Sequence, residues 1–580
     1  MGVNGIYGLS GSGLDIESLV KMGMMNKQNQ YDKMYQTDVR QTWVKEAYNN
    51  IYTTINTFKS NMSDFKMQSN MNAMSATSTN KDVVSVTANG AAAAMNHKIS
   101  VSSIASNAYL MTGDGKTIDR AQGAVSSTST ALSDVIYGSR LTNTTQDADG
   151  HYQYTIDGNT VNGSDVAISL EVQDSDVLDG QGNPTTHKIE LTYDNIFQDK
   201  KTLSDFASAF SASGANVQGG YDTTNDSFSL YNKTSGSSNL INLTSNNDDT
   251  TTLLNNLHLA SYNASSESLT DLPSFTTGTT AEAAKGTNAE ATIDGKKYTS
   301  ATNKLTVAGV IYNLNSVSAK NADGTYQSST VTVSQDTDTV VDNVKKFVDM
   351  YNTLLDSLND KLSEKQYSDY KPLTKSQEAA MTKEQVTQWN EKAKSGLLYH
   401  DSNISSLVSA MRESIYTKVD SVDSKYNSLS SIGITTTTNN IKGHLSLDET
   451  KLKKALAEDP DCVYQLFASD QDSTYVAGST DKNQSNNTAY NKKNDYLNTG
   501  VANRLYNVMT ENMTVIEKYA GTSTATNDES YLGKLITNNK TRMTSFQTLM
   551  KAYESNLYKK YDAMEVALSK LGAQLSYITG

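Results

Sequence analysis

Apolar residues along this chain repeat with two different periods, and the changes of period divide it. Near the C-terminus Leu557, Tyr561, Met564, Leu568, Leu571, Leu575 and Ile578 are spaced 4, 3, 4, 3, 4 and 3. This is the a/d seam of a coiled coil, and it extends upstream through Met543, Phe546, Met550 and Tyr553. The beat slips once, where a spacing of 4 from Tyr553 to Leu557 is followed by another 4. A stutter of this kind locally unwinds a left-handed supercoil. The helix is therefore expected to change partners there, from the 45–65 and 340–360 helices upstream to Ile16–Met24 downstream. Val44, Tyr48, Ile51, Ile55, Phe58, Met62 and Phe65 form a second seam at the other end. It follows a helix that opens "IESLVKMGMM", with Asp15 placed to cap it. Val340, Val344, Phe347, Tyr351, Leu354 and Leu358 form a third, and the stretches 404–419 and 501–520 predict two more helices.

Between the outer seams the period falls to two. "KDVVSVTANG" and "HKISVSSIAS" read as strands. From about 100 to 335 short alternating segments are separated by Gly, Asn and Asp turns. "YTIDGNTV" (154–161) and "ATIDGKKYT" (291–299) each place Asp-Gly between such segments, a strong hairpin signal. One helix interrupts them at 202–214, with Leu203, Phe206 and Phe210 on one face and Gly214 at its end.

The pattern predicts an α+β multidomain chain. Its N- and C-terminal segments join in a coiled-coil and helical-bundle leg, and two β-rich head domains are inserted. The expected divisions are a terminal coiled coil (1–40 with 541–580), a bundle (41–70 with 336–540), a first head domain (71–130 with 286–335) and an inserted one (131–285). The bundle core is assigned to the second and third seams together with Phe546, Met550 and Tyr553. A seam that reaches Ile578 needs something to pack against, so Leu14, Ile16, Leu19, Val20, Met24, Tyr561, Met564, Leu568, Leu571, Leu575 and Ile578 are assigned to contacts with other subunits.

Composition narrows the function. The 580 residues carry a net charge of −14, with no basic run, which argues against nucleic acid or an anionic membrane as partner. One cysteine, Cys462, allows no internal disulfide, and beside Leu466 on a helical face it reads as a buried thiol. The six histidines (His97, His151, His187, His258, His400, His444) show no zinc spacing. No apolar run suits a membrane span. The opening residues lack the basic and apolar regions of a signal peptide, and Ile6 breaks the myristoylation pattern. Ser, Thr, Asn and Gly nevertheless dominate the body, as in extracellular β-proteins, which implies either a cytoplasmic home or export by a route that reads no such signal.

Catalytic and ligand motifs give little. Gly5, Gly8, Gly11 and Gly13 have no preceding strand and no Gly-Lys-Ser/Thr. "DSDVLDGQGN" (174–183) misses the EF-hand spacing and reads as a polar turn. Carboxylates are plentiful in the β region, including Asp147, Asp149 and Asp179, but none stands apart from the hairpin turns. No cofactor is implied.

Several segments resemble the bacterial flagellar filament cap family. They are "SGLDIESLVKMGM", "HKISVSSIASNAYL", "AEATIDGKKYTSATNKLTVAGVIYNL" (289–314) and the ending "YDAMEVALSKLGAQLSYI". The most specific is "SIGITTTTNNIKGHLSLDETKLKKALAEDPDCVYQLF" (431–467), with Gly443, Leu445, Leu447, Asp448 and Leu452 in its core. The proline that this family often carries after its first helix is absent around Asn26–Tyr31. The resemblance implies a non-enzymatic protein that leaves the cell unfolded through the flagellar type III channel and forms a homo-oligomeric ring at the filament tip. There it would help each flagellin fold and insert, with its terminal seams docked in the filament core and 110–285 as a variable insert. Flagellin, filament-tip subunits, an export chaperone and a host or mucus surface are the partners implied. The alternatives are another axial component (junction protein or flagellin), a glycan-binding surface adhesin, and an enzyme.

Overall fold

The computed structural model describes residues 15–127, 129–263, 266–436, 443–469, 496–522 and 528–579. They form two compact units, one from the residues up to Ala73 together with those from Asp336 onward, the other from Met74–Gln335.

The first unit is helical. Ile16–Met62 is one continuous helix, capped by Asp15, whose side chain accepts from the Ser18 N–H at 3.0 Å. With no proline to stop it, the helix runs through Asn26–Tyr31 and joins what the sequence presents as two segments. Its second half buries Tyr48, Ile51, Ile55, Phe58 and Met62 on one face. The central helix Thr337–Ser363, capped by Asp336, buries Val340, Val344, Phe347, Tyr351, Leu354 and Leu358 against the same core. Helices Ser402–Tyr416, Glu449–Glu458, Cys462–Ala468 and Val501–Ala520 complete it. Phe347 meets Phe65 and Phe467 edge-on, at 5.6 and 4.8 Å between ring centroids. Phe65 lies in a short 3-10 turn just past the long helix, yet it is buried, and Val44 packs partly buried on the core edge. Cys462 is buried there, and that burial pushes its thiol pKa up to about 12.

The second unit is built from antiparallel sheets. One has the strand order Met74–Ser78, Ser329–Gln335, Asn96–Ser103, Ala289–Ile293, Lys296–Ser300. It shares a core with a three-stranded sheet, in which Val84–Ala88 pairs with Val310–Leu314 and that strand with Lys304–Val307. Alternation fills this core with Ile99, Val101, Ala291, Ile293 and Val331 from one sheet and Val84, Val310 and Tyr312 from the other. A separate core lies almost wholly between Ala108 and Ala283, under a five-stranded and a four-stranded sheet. Both Asp-Gly pairs form the expected turns. Asp157 and Gly158, and Asp294 and Gly295, adopt positive φ between their strands. Asp179 turns the hairpin at 179–183, its carboxylate accepting from the Gln181 and Asn183 N–H groups.

The insert holds more helix than its single expected segment. Leu203–Ala212 is present with Thr202 as cap, but Leu132–Ile136, Tyr193–Phe197 and Asp248–Asn256 are helical too. The last reads DDTTTLLNN, a poor helix former. The Asn247 cap and the burial of Leu253 and Leu254 override its propensity.

Candidate functional site

The two ends of the chain pair with each other. The C-terminal helix Tyr531–Thr579 lies antiparallel on the first half of the N-terminal helix. Its start belongs to the bundle, where Leu532 is in the core and Leu535 packs on it. From Asn539 onward it meets residues 16–34. Asn539 Nδ2 donates to the Met34 carbonyl at 2.9 Å, and Gln547 Nε2 to the Tyr31 hydroxyl at 2.6 Å. The Lys27 ammonium lies 5.7 and 5.8 Å from the ring centroids of Phe546 and Tyr553. Farther along, Leu557 closes a small apolar cluster with Ile16 and Val20, with Met24, Tyr558 and Tyr561 packed beside it. Gly23 lets Leu557 approach the N-terminal helix closely: a Cβ there would stand 2.7 Å from Leu557 Cδ1, and the leucine side chain would have to shift.

Two expectations are corrected by this arrangement. The C-terminal helix does not exchange the 45–65 and 340–360 helices for Ile16–Met24 at the stutter. Its change of partner comes about twenty residues earlier, between Leu535 and Asn539, and one helix then serves it through Tyr561. Phe546, Met550 and Tyr553 are therefore no part of the bundle core. The first two are half-buried in the terminal pair, and Tyr553 is 40% exposed. A 3-4 stripe specifies a partner face without specifying which helix supplies it.

The assigned subunit contacts separate into two groups. Ile16 and Val20 are buried within the chain, Leu19, Met24 and Tyr561 are half-buried, and Leu14 lies outside the described residues. Past Tyr561 the stripe is open. Met564, Leu568, Leu571 and Leu575 are 38, 41, 60 and 63% exposed, along with Val566 and Tyr577, which the strict seam omitted. Ile578 is helical in backbone, and its side chain lies outside the described residues. All of these exposed side chains but the Tyr577 hydroxyl are apolar, and they lie along one helix. Among the described residues no group of three His, Cys, Asp or Glu could hold a metal ion, and no helix is long and apolar enough to cross a membrane.

Residues 12–108 match the family model for the N-terminus of flagellar hook-associated protein 2, and residues 286–573 match that for its C-terminus. Together the two halves of one family account for more than half of the chain. The chain belongs to the flagellar hook-associated protein 2 family. The family matches span the terminal helix pair, the bundle and the first β core, and the segment between them holds nearly all of the second core. The flagellar hook-associated protein 2 of Halalkalibacterium halodurans is 26% identical over 575 residues, 97% of each chain. That of Thermotoga maritima is 34% identical over 172 residues, 29% of this chain and 24% of its own. A crystal structure of the D1-D2-D3 domains of the flagellar cap protein from Escherichia coli aligns over 85% of this chain and 99% of its own, at 19% identity and a TM-score of 0.48.

Proposed function

We propose that this chain caps the distal tip of a bacterial flagellar filament as a homo-oligomer and promotes the folding and addition of exported flagellin. Family membership supports the role, and the observation that carries the mechanism is the open stripe from Met564 onward. Three exposed leucines at coiled-coil spacing make a leg that gains by burial against helices of neighbouring subunits, at about 25 cal/mol per Å2 of apolar surface covered. The Met74–Gln335 unit folds on its own two cores and forms the head. The reading needs no catalytic group. Until export, a chaperone covering the stripe keeps it from aggregating.

Leu568→Asp combined with Leu571→Asp tests the leg. Both side chains are exposed in the single chain, so its folding is expected to survive. A charge in the closed seam would cost several kcal/mol, having lost water without gaining a partner. Cells making this variant at equal export should shed unpolymerised flagellin into the medium. Normal filaments would rule out the leg.

A further inference from the structure

Lys33, Gln36, Thr37 and Arg40 share one face of the N-terminal helix and form one wall of a groove of about 530 Å3. The other wall is the segment 366–372 with residues 393–397. Both walls are fixed by hydrogen bonds. Gln36 Nε2 donates to the Pro372 carbonyl at 2.7 Å, and Trp389 Nε1 to that of Lys371 at 2.7 Å. Gln366 Nε2 donates to the Gly396 carbonyl at 3.0 Å, and Gly396 has φ +71°, with a Cβ there 2.6 Å from Gln366 Cγ. The groove is therefore preformed.

Its charge runs against that of the chain. Lys33, Arg40 and Lys371 line it, no carboxylate does, and none of the three cations makes an ion pair among the described residues. Lys392 and Lys365 lie 4.7 and 4.8 Å from the ring centroids of Tyr370 and Tyr367, which line the groove. The acidic excess lies elsewhere. Residues 74–335 hold 26 Asp and Glu against 14 Lys and Arg, a net of −12, and the remaining residues hold 37 against 35, a net of −2. Strongly acidic units repel one another at close quarters, and a basic groove on each copy offsets that repulsion locally.

We propose that this groove is a self-association site, separate from the apolar stripe, that takes a carboxylate-bearing loop of the Met74–Gln335 unit of a second copy. The inference rests on charge and groove geometry and stands apart from the capping role. Full-length chains made with ordinary and heavy nitrogen are mixed and treated with a carbodiimide, which joins an amine to a carboxylate in direct contact. Mass spectrometry should find mixed-isotope links from Lys33 or Lys371 to Asp or Glu within 74–335. The links should fade in about 0.5 M salt, where exposed charges are screened within a few ångströms. Arg40→Glu, which spares both lysines, should cut the links at least about fivefold with an unchanged circular-dichroism melt. Leu568→Asp/Leu571→Asp should keep them, so a failed capping role would leave this result standing. The proposal is overturned by no mixed-isotope links, by links only within one isotope, by links to acids outside 74–335, by Arg40→Glu behaving as the parent, or by loss of the links in the stripe variant.

Discussion

Arg504 shows how much a single side chain can hold in the helical unit. It is 1% exposed, and its guanidinium donates to the carbonyls of Tyr496, Thr417, Lys418 and Leu497 at 2.6–2.9 Å while lying against the Tyr496 ring. Burial lowers its pKa, and the carbonyls supply the partial negative charge that lets it remain inside. Arg504→Met should destabilise this unit by about 3 kcal/mol or more in urea unfolding, because several buried carbonyls lose their donor. A loss under about 1 kcal/mol would mean that water replaces the guanidinium. In the β unit, Asp294 accepts from the Lys98 N–H at 2.8 Å and lies 2.6 Å from His97 Nδ1. The His97 hydrogen bond, then that from Lys98, hold its pKa below the ordinary 3.8. A lowered carboxylate pKa stabilises the fold above the unfolded value and ceases to do so as pH falls through the folded one. Thermal melts from about pH 5 to pH 2 should therefore decline less steeply for Asp294→Asn than for the parent. Equal slopes would show that the pair contributes nothing.

At the scale of elements, the terminal helix pair is thinly held. Polar contacts such as Asn539 with Met34 and Gln547 with Tyr31 fill its middle, and the Ile16, Val20 and Leu557 cluster seals its far end. Leu557→Ala should open that end while leaving the bundle intact. Hydrogen exchange should then show amides of 16–24 and 550–561 losing protection, with the 340–358 stretch unchanged. Unaltered exchange at 16–24 would mean that the cluster does not hold the pair closed. In the parent, fast exchange is expected to begin after Tyr561. The helices themselves were legible from the 3-4 beat and from the Asp15 cap, because local spacing and capping are properties of neighbouring residues. Asp248–Asn256 was not, since its stability comes from burying Leu253 and Leu254 under strands distant in sequence. Arg504 was equally hidden: nothing nearby marks an arginine two of whose four acceptors lie 86 and 87 residues away.

At the scale of the whole molecule, the chain enters and leaves the β unit side by side. Met74–Ser78 pairs antiparallel with Ser329–Gln335, with Met74 opposite Gln335. Both β cores are made wholly of residues within 74–335. A fragment of residues 74–335 should therefore fold by itself, with a dispersed amide spectrum and a cooperative melt. A fragment without fixed structure would show that the unit depends on the helical one.

Periodicity by itself determined that both ends are helical, that the middle is β, and where two Asp-Gly hairpins turn. Those features depend on residues within a few positions of one another, and the physics of caps, turns and amphipathic faces operates at that range. The resemblance of the quoted segments likewise pointed to the family. Partner choice was decided only by the tertiary structure. The C-terminal helix leaves the bundle near Leu535, pairs with residues 16–34 as far as Tyr561 and is exposed beyond. An apolar stripe fixes which face is buried, but any complementary stripe can cover it. The choice among them falls to contacts such as Asn539 with Met34 and Gly23 with Leu557, which join residues more than five hundred positions apart.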